Sequence, residues 1–350
     1  MFYPKKMMCV AILQILFNHT DANHPISQKE LTEILLSEYG IEAERKSVAR
    51  NLKDLAGVGF PVCSGDDLLK DRTEECTKAT KYWIKKEFTG GELHILIDGI
   101  RFMGMLSPTQ VSDLLSKVGQ LGGKHFHIPE NVRSAVLKTP TQSGVVYNVE
   151  TIDEAISKGV MVTFNYYRFG TDKKRHYRLN NDGTTKIYTA SPYELVAANG
   201  RYYLVCRFKG HNDIANIRLD MIANPVLTEM PIVGSKREID IPTHLAEHLY
   251  MFSGKSIDVV FRADKSQLNA VIDWFGTEVE FIYEDDSLVE AKVKVNRTAM
   301  LYWALQFGKY VEVLYPQDLR NEIAQAVSDM HIKYSSQAAS HYDAVPKKSS

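Results

Sequence analysis

Five side chains between residues 45 and 53 share a spacing that chemistry could use. On a helical wheel at about 100° per residue, Arg45, Lys46, Ser47, Arg50 and Lys53 gather away from a stripe of Val48, Leu52, Leu55 and Ala56. Cations with a small hydroxyl and no bulky apolar group suit a helix that enters the major groove, where they meet phosphates and base edges. A second set lies further on. Strand periodicity puts Arg201, Tyr203 and Arg207 on one face of residues 201–208, with Tyr202, Leu204, Cys206 and Phe208 on the other, and the next strand carries Arg218. Guanidinium groups fork onto phosphate oxygens and tyrosine rings stack on bases, so this set suits an anionic, nucleotide-like ligand.

Other candidate constellations lack context. No G-x-S-x-G, P-loop or H-E-x-x-H pattern occurs. Gly119, Gly122 and Gly123 follow a helical pattern rather than a strand, against a dinucleotide site. His244 and His248 stand at i, i+4 without an evident third metal ligand, and His125 and His127 read as ordinary histidines. Neither an enzyme, a metal site nor a cofactor is expected. Cys9, Cys63, Cys76 and Cys206 form no C-x-x-C pair, which points away from zinc and disulfides and toward a reducing cytoplasm.

The elements that must position these residues are legible in part. Residues 8–17 carry a helical apolar stripe. A second helix opens at Ser27, where Ser27 and Glu30 form a capping box and Ile26 can staple onto Leu31; Gly40 stands just past its end. A third helix over 44–56 completes a helix-turn-helix, and strands over 60–63 and 81–85 flank a loop rich in Asp66, Asp67, Asp71, Glu74 and Glu75 that would be a wing. Residues 91–137 read as connector helices, with Leu93, Ile97, Ile100 and Met103 as one stripe and Pro108 opening another helix. A short helix over 153–158 precedes strands over 160–167, 193–196, 201–208 and 214–219, a small barrel with one arginine-bearing face. Residues 256–333 alternate strand and helix as an α/β sandwich, and the polar tail from residue 335 is expected to be disordered.

Length and charge fit this division. A chain of 350 residues is long enough for two or three domains, and 44% hydrophobic with 24% charged residues is an ordinary globular balance. The opening apolar stretch is interrupted by Gln14 and reads as a helix, not a signal peptide, and no membrane span is expected. The net charge of −1 conceals a basic middle: residues 151–228 carry eleven cations against seven anions. Charge focused on one domain attracts a polyanion while the whole molecule stays neutral.

Three segments together resemble the WYL-domain transcriptional regulators of bacteria. Glu44, Arg45, Val48, Arg50, Leu52 and Leu55, followed by Gly59, Phe60, Pro61 and Val62, are similar to the family's recognition helix and wing start. Ser191, Pro192 and Tyr193, then Arg201, Tyr202, Tyr203 and Leu204, then Arg218, Leu219 and Asp220 resemble the WYL domain, with Tyr202 in place of its tryptophan. Trp274, Phe275 and Gly276, with Trp303, Gly308 and Pro316, look like its C-terminal extension. The resemblance implies an α+β multidomain chain. Its parts would be a winged helix-turn-helix (1–88), a helical connector (89–145), an Sm-like or SH3-like β-barrel that senses a ligand (146–232), an α/β ferredoxin-like extension (233–334) and the tail (335–350). It further implies a cytoplasmic homodimer that binds an operator and responds to a nucleotide or nucleic-acid fragment. Arg218 matches the binding arginine, with Ser191, Tyr193, Arg201, Tyr203 and Arg207 as neighbours in one pocket. The alternative is an accessory protein of a defence or repair system that captures single-stranded nucleic acid.

Overall fold

The computed structural model describes residues 4–65, 81–128, 144–234, 240–277 and 279–335. The chain divides into two compact units, Met1–Ser143 and Gly144–Ser350. It is a mixed α+β protein, with helices and antiparallel sheets in both units. Among the described residues no helix is long and apolar enough to cross a membrane.

In the first unit, helices α1 (Met8–His19), α2 (Gln28–Tyr39) and α3 (Arg45–Gly57) enclose a core of Ile12, Ile15, Leu16, Leu31, Leu35, Ile41, Val48, Leu52 and Leu55. The start of α2 is fixed locally. Ser27 Oγ accepts the Glu30 amide at 3.2 Å, while Glu30 Oε2 accepts the Ser27 amide at 2.7 Å. Gly40 ends it in the left-handed region at φ 65°, where any side chain would be strained. Strands β1 (Ile26–Ser27), β2 (Val62–Ser64) and β3 (Lys81–Ile84) form an antiparallel sheet in the order β1-β3-β2. The acidic loop expected to be a wing, and Cys76, lie outside the described residues. Helices α4 (Gly90–Phe102) and α5 (Pro108–Gly122) each open on a capping box, Thr89 with Glu92 and Ser107 with Gln110. Leu93 and Ile97 are buried, as their stripe requires.

The second unit begins with α6 (Val145–Lys158), which is longer than the short helix expected over 153–158: its buried face starts with Val145, Asn148 and Ile152. A curled sheet follows, built from β4 (Val160–Phe169), β5 (Arg175–Tyr177), β6 (Ile187–Ala198), β7 (Arg201–Phe208), β8 (Ile214–Arg218) and β9 (Ile222–Pro231). The pairing runs β9-β4-β6-β7-β8, with β5 on the end of β4. Laid flat, β8 and β9 would be roughly 19 Å apart at the spacing of neighbouring strands. Only the 3-10 turn Leu219–Met221 joins them, so the sheet must roll back on itself. Phe164, Leu204, Cys206, Leu219 and Ile222 fill the interior beneath α6.

Helix α7 (Ile241–Glu247) leads into β10 (Ser256–Asp264), α8 (Leu268–Phe275), β11 (Glu280–Glu284), β12 (Leu288–Asn296), α9 (Arg297–Gln306), β13 (Val311–Tyr315) and α10 (Gln317–Ser335). The antiparallel sheet order is β11-β12-β10-β13. Its core centres on Trp303, against which Phe261 and Phe275 pack edge-on at 5.2 and 4.8 Å between ring centroids. The tail after residue 335 lies outside the described residues.

Candidate functional site

The first candidate surface is the outer face of α3. Val48, Leu52 and Leu55 are buried and fix the rotation of the helix, so Arg45, Lys46, Arg50 and Lys53 are all exposed, beside Glu44 and Asp54. Two expectations need correction. Ala56 is exposed rather than part of the buried stripe. Ser47 is half-buried: its hydroxyl lies 3.6 Å from Met8 Sδ, and Asn51 Nδ2 lies 3.7 Å from the same sulfur while donating to the Ser47 carbonyl. Ser47 is thus partly covered by α1, and the cations are the most exposed part of this face.

The second candidate lies in the second unit, where β7, β8 and the 3-10 turn converge. Register sets Tyr203 of β7 opposite Arg218 of β8. Arg218 grips Asp220 side-on, Nε to Oδ1 at 3.0 Å and Nη2 to Oδ2 at 2.7 Å, and Arg201 Nη1 reaches the same Oδ2 at 2.9 Å. The Tyr167 hydroxyl donates to the Asp220 carbonyl at 2.6 Å and holds the turn against β4. The Arg178 amide donates to the Tyr166 carbonyl at 2.9 Å, and its charge acts on the Tyr166 hydroxyl. Burial works against the Arg218 charge, but the hydrogen bond and charge of Asp220 outweigh it and push the guanidinium pKa up. Burial also raises the Tyr166 and Tyr203 hydroxyls, and lifts Tyr167 to about 12, so all three rings stay neutral. The arrangement offers two oriented guanidiniums to an anion.

The six residues expected in one pocket do not meet. Alternation along β7 places Arg201, Tyr203 and Arg207 on one face, but Arg207 lies about 13 Å along the strand from Tyr203. Between Arg201 and Arg207 that face is covered: Tyr203, Val205, Val196 and Met251 form a small core, with Ile241 and Leu245 packed against it. Tyr203 is thus buried at 8% exposure. Ser191 and Tyr193 are 1% exposed, and both bind the backbone of Val233, whose amide donates to Ser191 Oγ at 2.9 Å and whose carbonyl accepts the Tyr193 hydroxyl. Arg207 stacks its guanidinium 5.9 Å from the Tyr193 ring centroid and pairs in register with Ser191. Ser191, Tyr193 and Arg207 therefore form a second cluster, which holds the Val233 backbone just past the end of β9. Tyr166, Arg178 and Asp220 were not among the expected site residues. Asp220 carries the one sequence signal, two residues from Arg218 on a turn too short to face away.

His244 and His248 stack at 3.9 Å, with His244 Nε2 2.9 Å from Asn216 Oδ1 and His248 between the His244 and Gly254 carbonyls. These contacts hold α7 to β8. Among the described residues no cluster of His, Cys, Asp or Glu could hold a metal ion.

Residues 147–227 match the WYL domain family, and residues 255–331 match the WCX domain family. The chain is 22% identical over 327 residues to the uncharacterized HTH-type transcriptional regulator YobV of Bacillus subtilis (strain 168), covering 88% of this chain and 95% of that one. Among solved structures, proteasome accessory factor B/C (PafBC) of Arthrobacter aurescens is 15% identical at a TM-score of 0.29. That match covers 96% of this chain and 49% of the other, so this chain spans about half its length. A CRISPR Cas-related protein is 13% identical at a TM-score of 0.36, covering 94% of this chain and 84% of that one.

Proposed function

Because the chain belongs to the WYL-domain transcriptional regulator family, we propose that it binds an operator through α3 and senses an anionic effector through Arg201 and Arg218. The observation that carries the reading is the exposed row of Arg45, Lys46, Arg50 and Lys53 over a buried Val48, Leu52 and Leu55 stripe, in a chain similar over most of its length to an HTH-type regulator. Under this reading α1 to α3 with β1 to β3 act as a winged helix-turn-helix, the curled sheet as an Sm-like or SH3-like sensor and the last domain as a ferredoxin-like extension, over the boundaries given above. The protein works as a cytoplasmic homodimer, and it binds rather than catalyses. Ser191, Tyr193, Tyr203 and Arg207 shape the sensor; the effector touches Arg201 and Arg218.

Fluorescence anisotropy with a duplex from the chain's own upstream region tests the first half. Arg50→Ala is expected to weaken binding by about 1–3 kcal/mol if it reads a guanine, and Lys53→Ala by less while flattening the salt dependence. Unchanged affinity in both variants removes α3 from the interface. Stronger binding of single strands of any sequence than of this duplex would favour the accessory nucleic-acid-binding alternative.

A further inference from the structure

Gly122 and Gly123 end α5 against the C-terminus of α1. An α-helix closes on four carbonyls that have no donor within the helix. In α1 these are Leu16, Phe17, Asn18 and His19, and all four are met. The Thr20 hydroxyl and amide donate to the Leu16 carbonyl at 2.6 and 3.2 Å. Lys86, just past β3, donates to the Phe17 carbonyl and sets a cation at the negative end of the helix dipole. The Lys124 amide donates to the Asn18 carbonyl at 2.7 Å, and His125 Nε2 lies 3.1 Å from the His19 carbonyl. The segment that follows α5 therefore completes the end of α1.

Only glycine permits so close an approach. Gly123 has φ 75°, and a Cβ there would fall 2.8 Å from the Phe17 carbonyl oxygen and 3.0 Å from that of Asn18, both backbone atoms that cannot swing aside. A Cβ on Gly122 would overlap Phe126. Just beyond, the His125 ring stacks on His24 at 3.8 Å, and His24 Nδ1 lies 2.9 Å from Asp21 Oδ1. The other end of α1 reaches α3, where Met8 Sδ lies 3.6 Å from Ser47 Oγ and 3.7 Å from Asn51 Nδ2. Between the two ends, Ile12, Ile15 and Leu16 share a core with Val48, Leu52 and Leu55. α1 is thus a rod of 12 residues, about 18 Å long, gripped by the connector at one end and packed on α3 over its length.

We propose that the Gly122 and Gly123 joint locks α5 to α1, so that the connector and the helix carrying Arg50 turn as one body and the connector governs where α3 points on an operator. The control of α3 rests on the operator reading, and the test separates the two. Amide hydrogen exchange of the full-length chain is compared in the native protein, Gly123→Ala, Lys124→Pro and Lys124→Ala. Gly123→Ala drives a Cβ against two carbonyls and Lys124→Pro removes the amide donor, whereas Lys124→Ala keeps that amide. In the first two variants exchange in the last turns of α1 and α5 rises about five-fold or more, the equilibrium equivalent of one hydrogen bond, while α2 keeps its native protection. Lys124→Ala exchanges as the native chain does. The same proteins are then titrated with paired half-sites at native spacing and with about half a helical turn inserted between them. The native chain prefers its own spacing, and the two open-joint variants lose most of that preference while binding a single half-site as before. Native exchange in both Gly123→Ala and Lys124→Pro overturns the joint. Faster exchange with an undiminished spacing preference, or a native chain that ignores spacing, overturns the control of α3 while the operator reading stands. Failure of the folded native chain to bind duplex from its own upstream region overturns the operator reading and that control together, and the exchange result then decides the joint alone.

Discussion

Asn148 shows how a single buried side chain holds the curled sheet together. It is 3% exposed, and its Nδ2 donates to the Ile222 carbonyl at 2.9 Å and the Leu219 carbonyl at 3.4 Å. Those carbonyls bracket the turn that carries Asp220. Asn148→Ala removes the Nδ2 donor from the Ile222 and Leu219 carbonyls, the latter keeping the Ile222 amide, and the expected loss is about 0.5–1.5 kcal/mol of stability by urea unfolding. Asn148→Asp should be at least as damaging, because it sets a carboxylate against two carbonyl oxygens. A second prediction concerns the other cluster. Tyr193→Phe removes the donor to the Val233 carbonyl and is expected to cost about 1 kcal/mol while leaving operator affinity unchanged; a changed operator affinity would contradict the purely clamping role.

At the scale of elements, α7 is the piece whose behaviour depends on acidity. Burial first, and the neighbouring His248 second, depress His244 to about 4 from its ordinary 6.5, with Glu247 acting in the opposite sense. As pH falls through about 6.5 the unfolded chain takes up a proton that the folded one refuses, so folding weakens between about pH 6.5 and 4. Melting temperature measured across that window should fall in the native chain and fall less steeply in His244→Gln, which keeps a donor for Asn216. Equal slopes would exclude His244 as the source. Elements were legible where a local signal sufficed: Ser27 with Glu30 and Gly40 delimit α2 from sequence alone. β9 was missed for an equally local reason. Asn224 adopts φ 52° and Pro225 follows it, which reads as a break in sequence, yet Val226 and Leu227 resume the ladder with Thr163 and Val162. Alternation along β7 sorted side chains by face, but it could not reveal that Met251 and α7 cover the middle of that face. The cover comes from residues about forty positions away, and no periodicity within the strand encodes it. The arginine and aspartate cluster was half-visible: Arg218 stood in the sequence reading with Asp220 two residues on, but only the fold shows that one carboxylate held by both Arg218 and Arg201.

For the whole molecule, the proposed operator reading has two copies of α3 on the same duplex. Two such helices reading one operator are expected to need half-sites one helical turn apart, about 10–10.5 base pairs between centres. Inserting five base pairs between the half-sites should abolish tight binding in a gel-shift titration, and inserting ten should restore part of it; indifference to spacing would argue for a single reading head. The turn that carries Asp220 has a consequence for biogenesis. Arg218 and Asp220 sit just before the last strand, and the roll is sealed only when that strand zips onto the first one laid down. A nascent chain leaving the ribosome therefore cannot close the roll until translation has passed Pro231, and fragments truncated upstream of it should lack the folded arrangement of Arg218 and Asp220, however well the leading helices have folded.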